Sequence, residues 1–394
     1  MINSLIDPYN KLDIVLRKGD GAYVYDQNEK KYLDFVSGVA VLALGHCNPK
    51  LINALNEQSL KMWHCSNIFK TDENQLVAKK LVDRTFADSV FFCNSGAEAV
   101  DTGIKMIRKY FKDRNKKNKY RFIVAEDGFH GRTLGAISAG GQEKLVKGFE
   151  PVLDGFDKVK FNDISAVEKK INENTAAIFI EPIQGEGGIK PASKDYLKNL
   201  RKLADEKKIL LFFDEVQTGI GRTGDFFSYE WADIEPDVVA AGKGLGSGFP
   251  VAACLAKAEI ASSLTIGSHG TTLGGNPLAM AVANTVLKEI DKNFLEKVKE
   301  NSYYFFKKLQ DLVKRHQEVL CLVRGRGLMI GLKCKVSNKD FQKILAKNNL
   351  LTVTAGDNVI RLLPPLIINK DQIDEAVKII NNTAIFFENS KFIK

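Results

Sequence analysis

With 394 residues, 44% hydrophobic and 27% charged, the chain has the make-up of a folded soluble protein, which excludes a disordered or fibrous one. Its length exceeds one hydrophobic core and predicts two domains with room for a large buried cleft. The net charge of +9 is spread along the sequence, and its densest cluster, Arg114 to Arg121, reads as a loop, so no nucleic-acid partner is expected.

The opening MINSLIDPYNKLDIVL lacks the basic start and continuous apolar block of a secretory signal. No apolar run, ILLFF ending at Phe213 included, approaches the ~18 residues of a membrane span. A cytoplasmic protein without membrane contact is expected. Cys47, Cys65, Cys93, Cys254, Cys321 and Cys334 show no C-x-x-C spacing, which predicts reduced thiols rather than a zinc ribbon or a disulfide framework. No metal site is expected.

Next along the chain, KGDGAYVYDQNEKKYLDF predicts a hairpin within an N-terminal segment, residues 1–40, that packs with a smaller C-terminal domain. From Ser89 to Ala256, short apolar runs alternate with longer amphipathic ones, the pattern of an α/β domain with a mostly parallel sheet covered by helices. VFFC, RFIVAE, AAIFIE, ILLFFDE and DVVAAGK are the candidate strands, each continuous and apolar as in strands buried on both faces. Val100, Ile104, Ile107 and Phe111 form an apolar stripe on a helix between them. This large domain is placed at residues 41–285. A long helix through Leu295, Val298, Phe305, Leu309 and Leu312 then leads to LCLVRGRGLMIGLKC, which reads as a hairpin. LLTVT and NVIRLL flank the turn AGDN, and a last helix follows Asp371. Residues 286–394 thus form the smaller α+β domain.

In an open parallel sheet, ligands bind beyond the carboxyl ends of the strands. The residues that end each apolar run therefore carry the functional signal: Asn94 to Glu98, Asp127 to Arg132, Glu181, Asp214 to Gln217, and Lys243. Ser95, Gly96 and Ala97 open a helix directly after a strand, where backbone amides and the helix dipole hold a phosphate; Ser95 also reads as a plain N-cap. Asp214, at the mouth of an apolar strand, needs a cationic partner. A pyridinium nitrogen is one such partner, and a structural turn cap is the other reading. Lys243 stands between Gly242 and Gly244, where desolvation and neighbouring cations lower an amine pKa enough for Schiff-base chemistry.

Phe129 is placed to stack on a flat ring, or to lie in the core, and Gln217 offers an amide to a ring hydroxyl. Arg132 and Arg361 supply planar forks for a carboxylate, with Glu186 in a Gly-rich loop within reach; each also reads as a surface ion pair. GIGRTG, at Gly219 to Gly224, fits the glycine pattern of a dinucleotide site. It is followed by DFFSYEW rather than by small residues opening a helix.

With SGVAVLALGHCNP, FFCNSGAEA, GFHGRT, IEPIQGEGG, FFDEVQTGIGRTG, PDVVAAGKGLGSG, HGTTLGGNPLA, RGRGLMIG and VIRLLPPL in this order, the chain resembles the class III aminotransferases, pyridoxal-phosphate enzymes of fold type I. The resemblance runs from near Val15 to near Ile368. It implies that Lys243 forms the Schiff base, that Asp214 pairs with the ring nitrogen, that Val216 and Phe129 sandwich the ring, and that Gln217 donates to the ring oxygen, with Glu215 in the same cofactor-binding stretch. Ser95, Gly96 and Ala97 would hold the phosphate, joined by Thr272 of a neighbouring subunit in a homodimer with shared sites. Arg132 and Thr271 resemble substrate contacts, Arg361 the clamp for the carboxylate of glutamate and 2-oxoglutarate, and Glu186 its intramolecular partner. Within the family, His130 leans toward enzymes that transfer the terminal amine of N-acetylornithine to 2-oxoglutarate in arginine biosynthesis. Ornithine, succinylornithine, succinyl-diaminopimelate and 4-aminobutyrate are the alternative amino donors. Leu42, Val100, Asp101, Gly242 and Leu273 depart from the family's commonest pattern, Leu42 near the substrate entrance.

Overall fold

The computed structural model describes residues 4–391; Met1 to Asn3 and Phe392 to Lys394, the two ends of the expected terminal segments, lie outside the described residues. A seven-stranded sheet forms the centre, in the order Ser89–Cys93, Ala252–Ala256, Val238–Ala241, Leu210–Asp214, Thr175–Ile180, Arg121–Ala125 and Phe156–Val159. Ala252–Ala256 runs antiparallel to both of its neighbours, and the other strands all run one way. Thr175–Ile180 and Leu210–Asp214 are buried at every position.

Alternation along these strands sorts their side chains onto two faces. Ile178, Ile180, Leu211 and Phe213 pack on one side, while Ala177, Phe179, Leu210 and Phe212 pack on the other. Each large apolar side chain so buried contributes about 1.5–3 kcal/mol. The helix Gly96–Asp113 covers the second face with Val100, Ile104, Ile107 and Phe111. It lies so close that a Cβ at Gly103 would sit 2.4 Å from Cζ of Phe212, so alanine there would force helix and sheet apart. On the first face, the apolar cluster continues into Leu295, Phe305 and Leu309 of helix Lys292–Arg315 and into Ile330 and Leu332.

The expected hairpin LCLVRGRGLMIGLKC is present as Leu320–Arg326 paired with Met329–Cys334, and Val359–Leu362 then Val353–Ala355 complete an antiparallel sheet. Two local expectations need correction. The N-terminal hairpin is a three-stranded meander, Leu16–Asp20, Tyr23–Asp26 and Lys31–Asp34. LLTVT is split: Leu350–Leu351 pairs in parallel with Lys31–Asp34, whereas Val353–Ala355 joins the C-terminal sheet. Apolar periodicity marks a run as strand but does not say which sheet takes it, so the change of partner across buried Thr352 leaves no sequence signal. The last helix, Lys370–Lys391, starts one residue before Asp371. All six cysteines are free, and no described helix is long and apolar enough to cross a membrane.

Candidate active site

At the carboxyl ends of the parallel strands lies a cavity of about 190 Å³ whose lining includes Gly96, Ala97, Phe129, Glu186, Asp214, Val216, Gln217 and Lys243. Residues far apart in the chain thus meet on one rim. At one end is the start of helix Gly96–Asp113, whose N-cap Ser95 accepts from the Glu98 amide through its side chain. Ser95 is therefore a cap, and the first-turn amides beyond it have no intrahelical acceptor. A Cβ at Gly96 would come within 2.5 Å of Val216 Cγ1. Glycine is thus required by the packing of Val216, and the helix start presents bare backbone to an anion.

Asp214 ends its strand and is 5% exposed. Its Oδ1 accepts from the Val216 amide at 3.0 Å, and its Oδ2 lies 2.8 Å from Nδ1 of buried His130. Glu181, at the end of the next strand, accepts from the amides of Phe129 and Gly185 at 2.9 and 3.1 Å. Burial pushes its carboxyl up to about 7, against the opposing pull of His130. Glu181 and His130 both line the cavity, yet neither receives a role from the residues read alone. The signals were present, a glutamate closing AAIFI and a histidine in GFHGRT. What was missing was the third dimension, which sets His130 against Asp214.

Strand Val238–Ala241 ends two residues before Lys243, which opens a short 3-10 turn, Lys243–Leu245, with φ of 41°. Left-handed backbone at a non-glycine residue costs about 1–3 kcal/mol and persists only where the surroundings enforce it. Burial first, then the charge of Arg361, lowers the Lys243 amine to about 8, while Glu186, Asp214 and Glu181 pull the other way.

Arg361 sits on strand Val359–Leu362, is 4% exposed, and forms a bidentate pair with Glu186 at 2.6 and 3.2 Å. Its Nη2 also donates to Thr354 O at 3.1 Å, while its Nε is buried without a partner. Gln217 Oε1 is likewise a buried polar atom with no partner.

Six expected residues do not line the cavity: Ser95 is the cap just described, Arg361 meets the lining through its pair with Glu186, and four others stand apart. Glu215 is turned away, its Oε1 accepting from the Tyr229 amide at 3.0 Å and its Oε2 from Thr218. Successive residues at a strand end face opposite sides, so Glu215 cannot share the direction of Asp214. Arg132 is exposed, with its guanidinium 5.7 Å from the Phe129 ring centre. Thr271 Oγ1 accepts from the Gly274 amide at 3.1 Å, and Thr272 is exposed. Among the departures, Asp101 accepts from Thr133 Oγ1 at 2.9 Å. Leu42 is placed so that a Cβ at Gly248 would sit 3.0 Å from its Cδ2.

The set fits pyridoxal phosphate. Bare amides at Gly96 and Ala97 suit its phosphate, Asp214 a protonated ring nitrogen, Val216 and Phe129 the ring faces, the Gln217 side-chain NH2 the ring oxygen, and Lys243 its aldehyde. GIGRTG, by contrast, opens no helix: Gly221 and Gly224 adopt φ of 84° and 92° in a turn that leads to the 3-10 segment Ser228–Ala232.

Comparison with known proteins gives the family. The family model of class III aminotransferases matches residues 6–384. The acetylornithine aminotransferase of Agrobacterium fabrum is 47% identical over 374 residues, covering 95% of this chain and 94% of the relative. That of Aquifex aeolicus is 48% identical over 378 residues, covering 95% and 98%. Among solved structures, the ornithine aminotransferase of Toxoplasma gondii superposes with a TM-score of 0.95 at 30% identity, covering 98% of this chain and 94% of that one. The N-acetylornithine aminotransferase of Stenotrophomonas maltophilia superposes with a TM-score of 0.85 at 34% identity, covering 97% and 98%. The chain belongs to the class III aminotransferases.

Proposed function

We propose that this chain transfers the terminal amino group of N-acetylornithine to 2-oxoglutarate, giving N-acetylglutamate 5-semialdehyde and glutamate, a step of arginine biosynthesis in the cytoplasm. The observation that carries the reading is the Lys243 amine, lowered to about 8 in a cavity shared with buried Asp214. The acetylornithine aminotransferases at 47% and 48% identity support the choice of donor. The TM-score of 0.95 to an ornithine aminotransferase keeps ornithine as the second reading.

When bound, pyridoxal phosphate supplies an electron sink for the pair left by the broken C–H bond and carries the amino group between the two halves. Lys243, whose neutral form is brought within reach by its lowered pKa, would take the proton from the substrate carbon. Asp214, held by His130 and the Val216 amide, keeps the ring nitrogen protonated through a charge-assisted bond worth about 1.5–3 kcal/mol. In the first half Glu186 occupies Arg361 and denies it to the carboxylate of the amino donor. In the second, the keto acid's carboxylate replaces Glu186.

The same reading places Thr271 and Thr272 in the neighbouring site of a homodimer, Thr272 at the phosphate, with Arg132 and Thr271 toward substrate. Exposed Ile68, Phe69 and Leu273 beside them, tied by Asn67 Nδ2 to Thr271 O, support an apolar contact with a second copy. Residues 41–285 are proposed as the cofactor domain, with 286–394 and the segment 1–40 as the smaller unit.

Lys243→Ala should abolish both the cofactor's protein-bound visible absorbance and turnover; retained transamination would refute the central role. Rates with acetylornithine, ornithine, succinylornithine, succinyl-diaminopimelate and 4-aminobutyrate then test the donor, and acetylornithine is expected to lead.

A further inference from the structure

GIGRTG has no part in the mechanism above, yet it carries a cation that is 2% exposed, Arg222. Among the described residues no carboxylate pairs with this guanidinium. Its Nη1 donates to Leu328 O at 3.1 Å and to Pro364 O at 2.6 Å, and its Nη2 is buried with no partner. Burial pulls its pKa down to about 9, which still leaves it charged at neutral pH. A buried cation bonded only to carbonyls is costly to keep, so it is informative to ask what the two carbonyls hold.

Leu328 directly precedes strand Met329–Cys334, and Pro364 follows strand Val359–Leu362. These strands are paired, with Gly331 opposite Arg361 and Ile330 opposite Leu362. One guanidinium therefore grips the neighbouring ends of the two strands that seat the acid clamp. The grip is reinforced from the backbone, because the Leu328 amide donates to Arg222 O at 3.0 Å. At Gly327 a Cβ would fall 2.3 Å from Thr223 C, so the two turns touch main chain to main chain. Ser302 Oγ adds a bond of 2.7 Å to Gly327 O from helix Lys292–Arg315.

The other side of Arg222 is fixed to the cofactor floor. The Gly219 amide donates to Glu215 O at 2.9 Å, and the Glu215 carboxylate is held by Thr218 and by the Tyr229 amide. The chain from Asp214 through Val216 and Gln217 to Arg222 is thus a short tied bridge between the floor of the cavity and the strands behind Arg361.

We propose that Arg222 is a positioning residue for Arg361: it sets the distance between the acid clamp and the residues Asp214 to Gln217, and so governs recognition of the keto acid's carboxylate. This rests on the aminotransferase reading, and the test separates the two.

In the holoenzyme, Arg222→Gln is compared with wild type in single-turnover measurements of each half-reaction. The apparent dissociation constant for 2-oxoglutarate should rise about tenfold, which corresponds to about 1.4 kcal/mol, while the rate of the amino-donor half changes less than about twofold. In the cofactor-free protein, the rise in Tm produced by saturating 2-oxoglutarate should shrink, since that rise follows the ligand's affinity. A merely stabilising arginine would, when replaced, lower the basal Tm and slow both halves by one factor; that result overturns the proposal. If Arg222→Gln does not fold, Ser302→Ala, which removes one tie to the same turn, should show the same one-sided effect at about threefold, and an even effect there overturns it equally. Wild-type protein that transaminates no donor of the panel refutes the functional reading instead.

Discussion

Replacing Glu186 by alanine isolates the acid clamp from the rest of the site. In the wild type both Nη atoms of Arg361 are engaged by Glu186, at 2.6 and 3.2 Å, and Arg361 itself is 4% exposed. A hydrogen bond to a charged partner contributes about 1.5–3 kcal/mol, and an incoming carboxylate must first displace it. Its removal should tighten 2-oxoglutarate by roughly 10- to 150-fold, at about 1.4 kcal/mol per factor of ten. The same change leaves Arg361 open in the amino-donor half, where the α-carboxylate of acetylornithine would be drawn to it and the terminal amine carried away from Lys243. The ratio of the two half-reaction rates should therefore shift toward the keto-acid half. Stability should fall too, since a buried arginine would keep only Thr354 O, although Glu186 is 32% exposed on its side chain and the loss stays below the ~3–5 kcal/mol of a fully buried pair. Stopped-flow absorbance of the cofactor with each substrate alone gives both rates. An unchanged ratio in Glu186→Ala would refute the switch, whatever happens to the Tm.

Because the Lys243 amine is lowered to about 8, reconstitution of the cofactor-free protein, which consumes the neutral amine, should speed up with pH and level off above about 8. A rate still climbing tenfold per unit beyond pH 9 would show an ordinary lysine. Gly96→Ala, whose Cβ would meet Val216 Cγ1 at 2.5 Å, should weaken pyridoxal-phosphate binding at least tenfold, about 1.4 kcal/mol, measured by equilibrium dialysis; wild-type affinity would show that the contact relaxes without disturbing the phosphate end. Glu215 is pushed by burial from 4.5 up to about 7, so between these values the folded protein holds a proton that the unfolded chain has released. Its contribution to stability therefore falls as pH rises through that window. The Tm of Glu215→Gln relative to wild type should accordingly increase from pH 5 to pH 8, and a constant difference would count against this ionisation.

The central sheet was legible because parallel strands buried on both faces write continuous apolar runs, and the site was legible because such a sheet places its ligand at the strand ends. Two strands escaped. Ala252–Ala256 is AACLA and Phe156–Val159 is FDKV, and alanine, aspartate and lysine are all depleted in strands. Glu215 was grouped with Asp214 by adjacency, although side-chain alternation sends it to the far side, where it binds Thr218 and the Tyr229 amide. His130 and Glu181 depended on packing between segments more than fifty positions apart, and no local pattern reports that.

The charges around Lys243 explain why its amine is lowered in a site lined with acids. Three carboxylates pull its pKa upward, yet burial and Arg361 prevail. Each acid is already engaged: Asp214 with His130 and the Val216 amide, Glu186 with Arg361, and Glu181 with two backbone amides. Glu181 is also pushed up to about 7 by its burial, so part of it carries no charge at neutral pH. A carboxylate whose lone pairs are held by neighbouring donors offers a lysine little direct stabilisation, and the desolvation of the amine then dominates. The pairings that look like structural reinforcement thus let the Lys243 amine fall to about 8, where its neutral form is within reach.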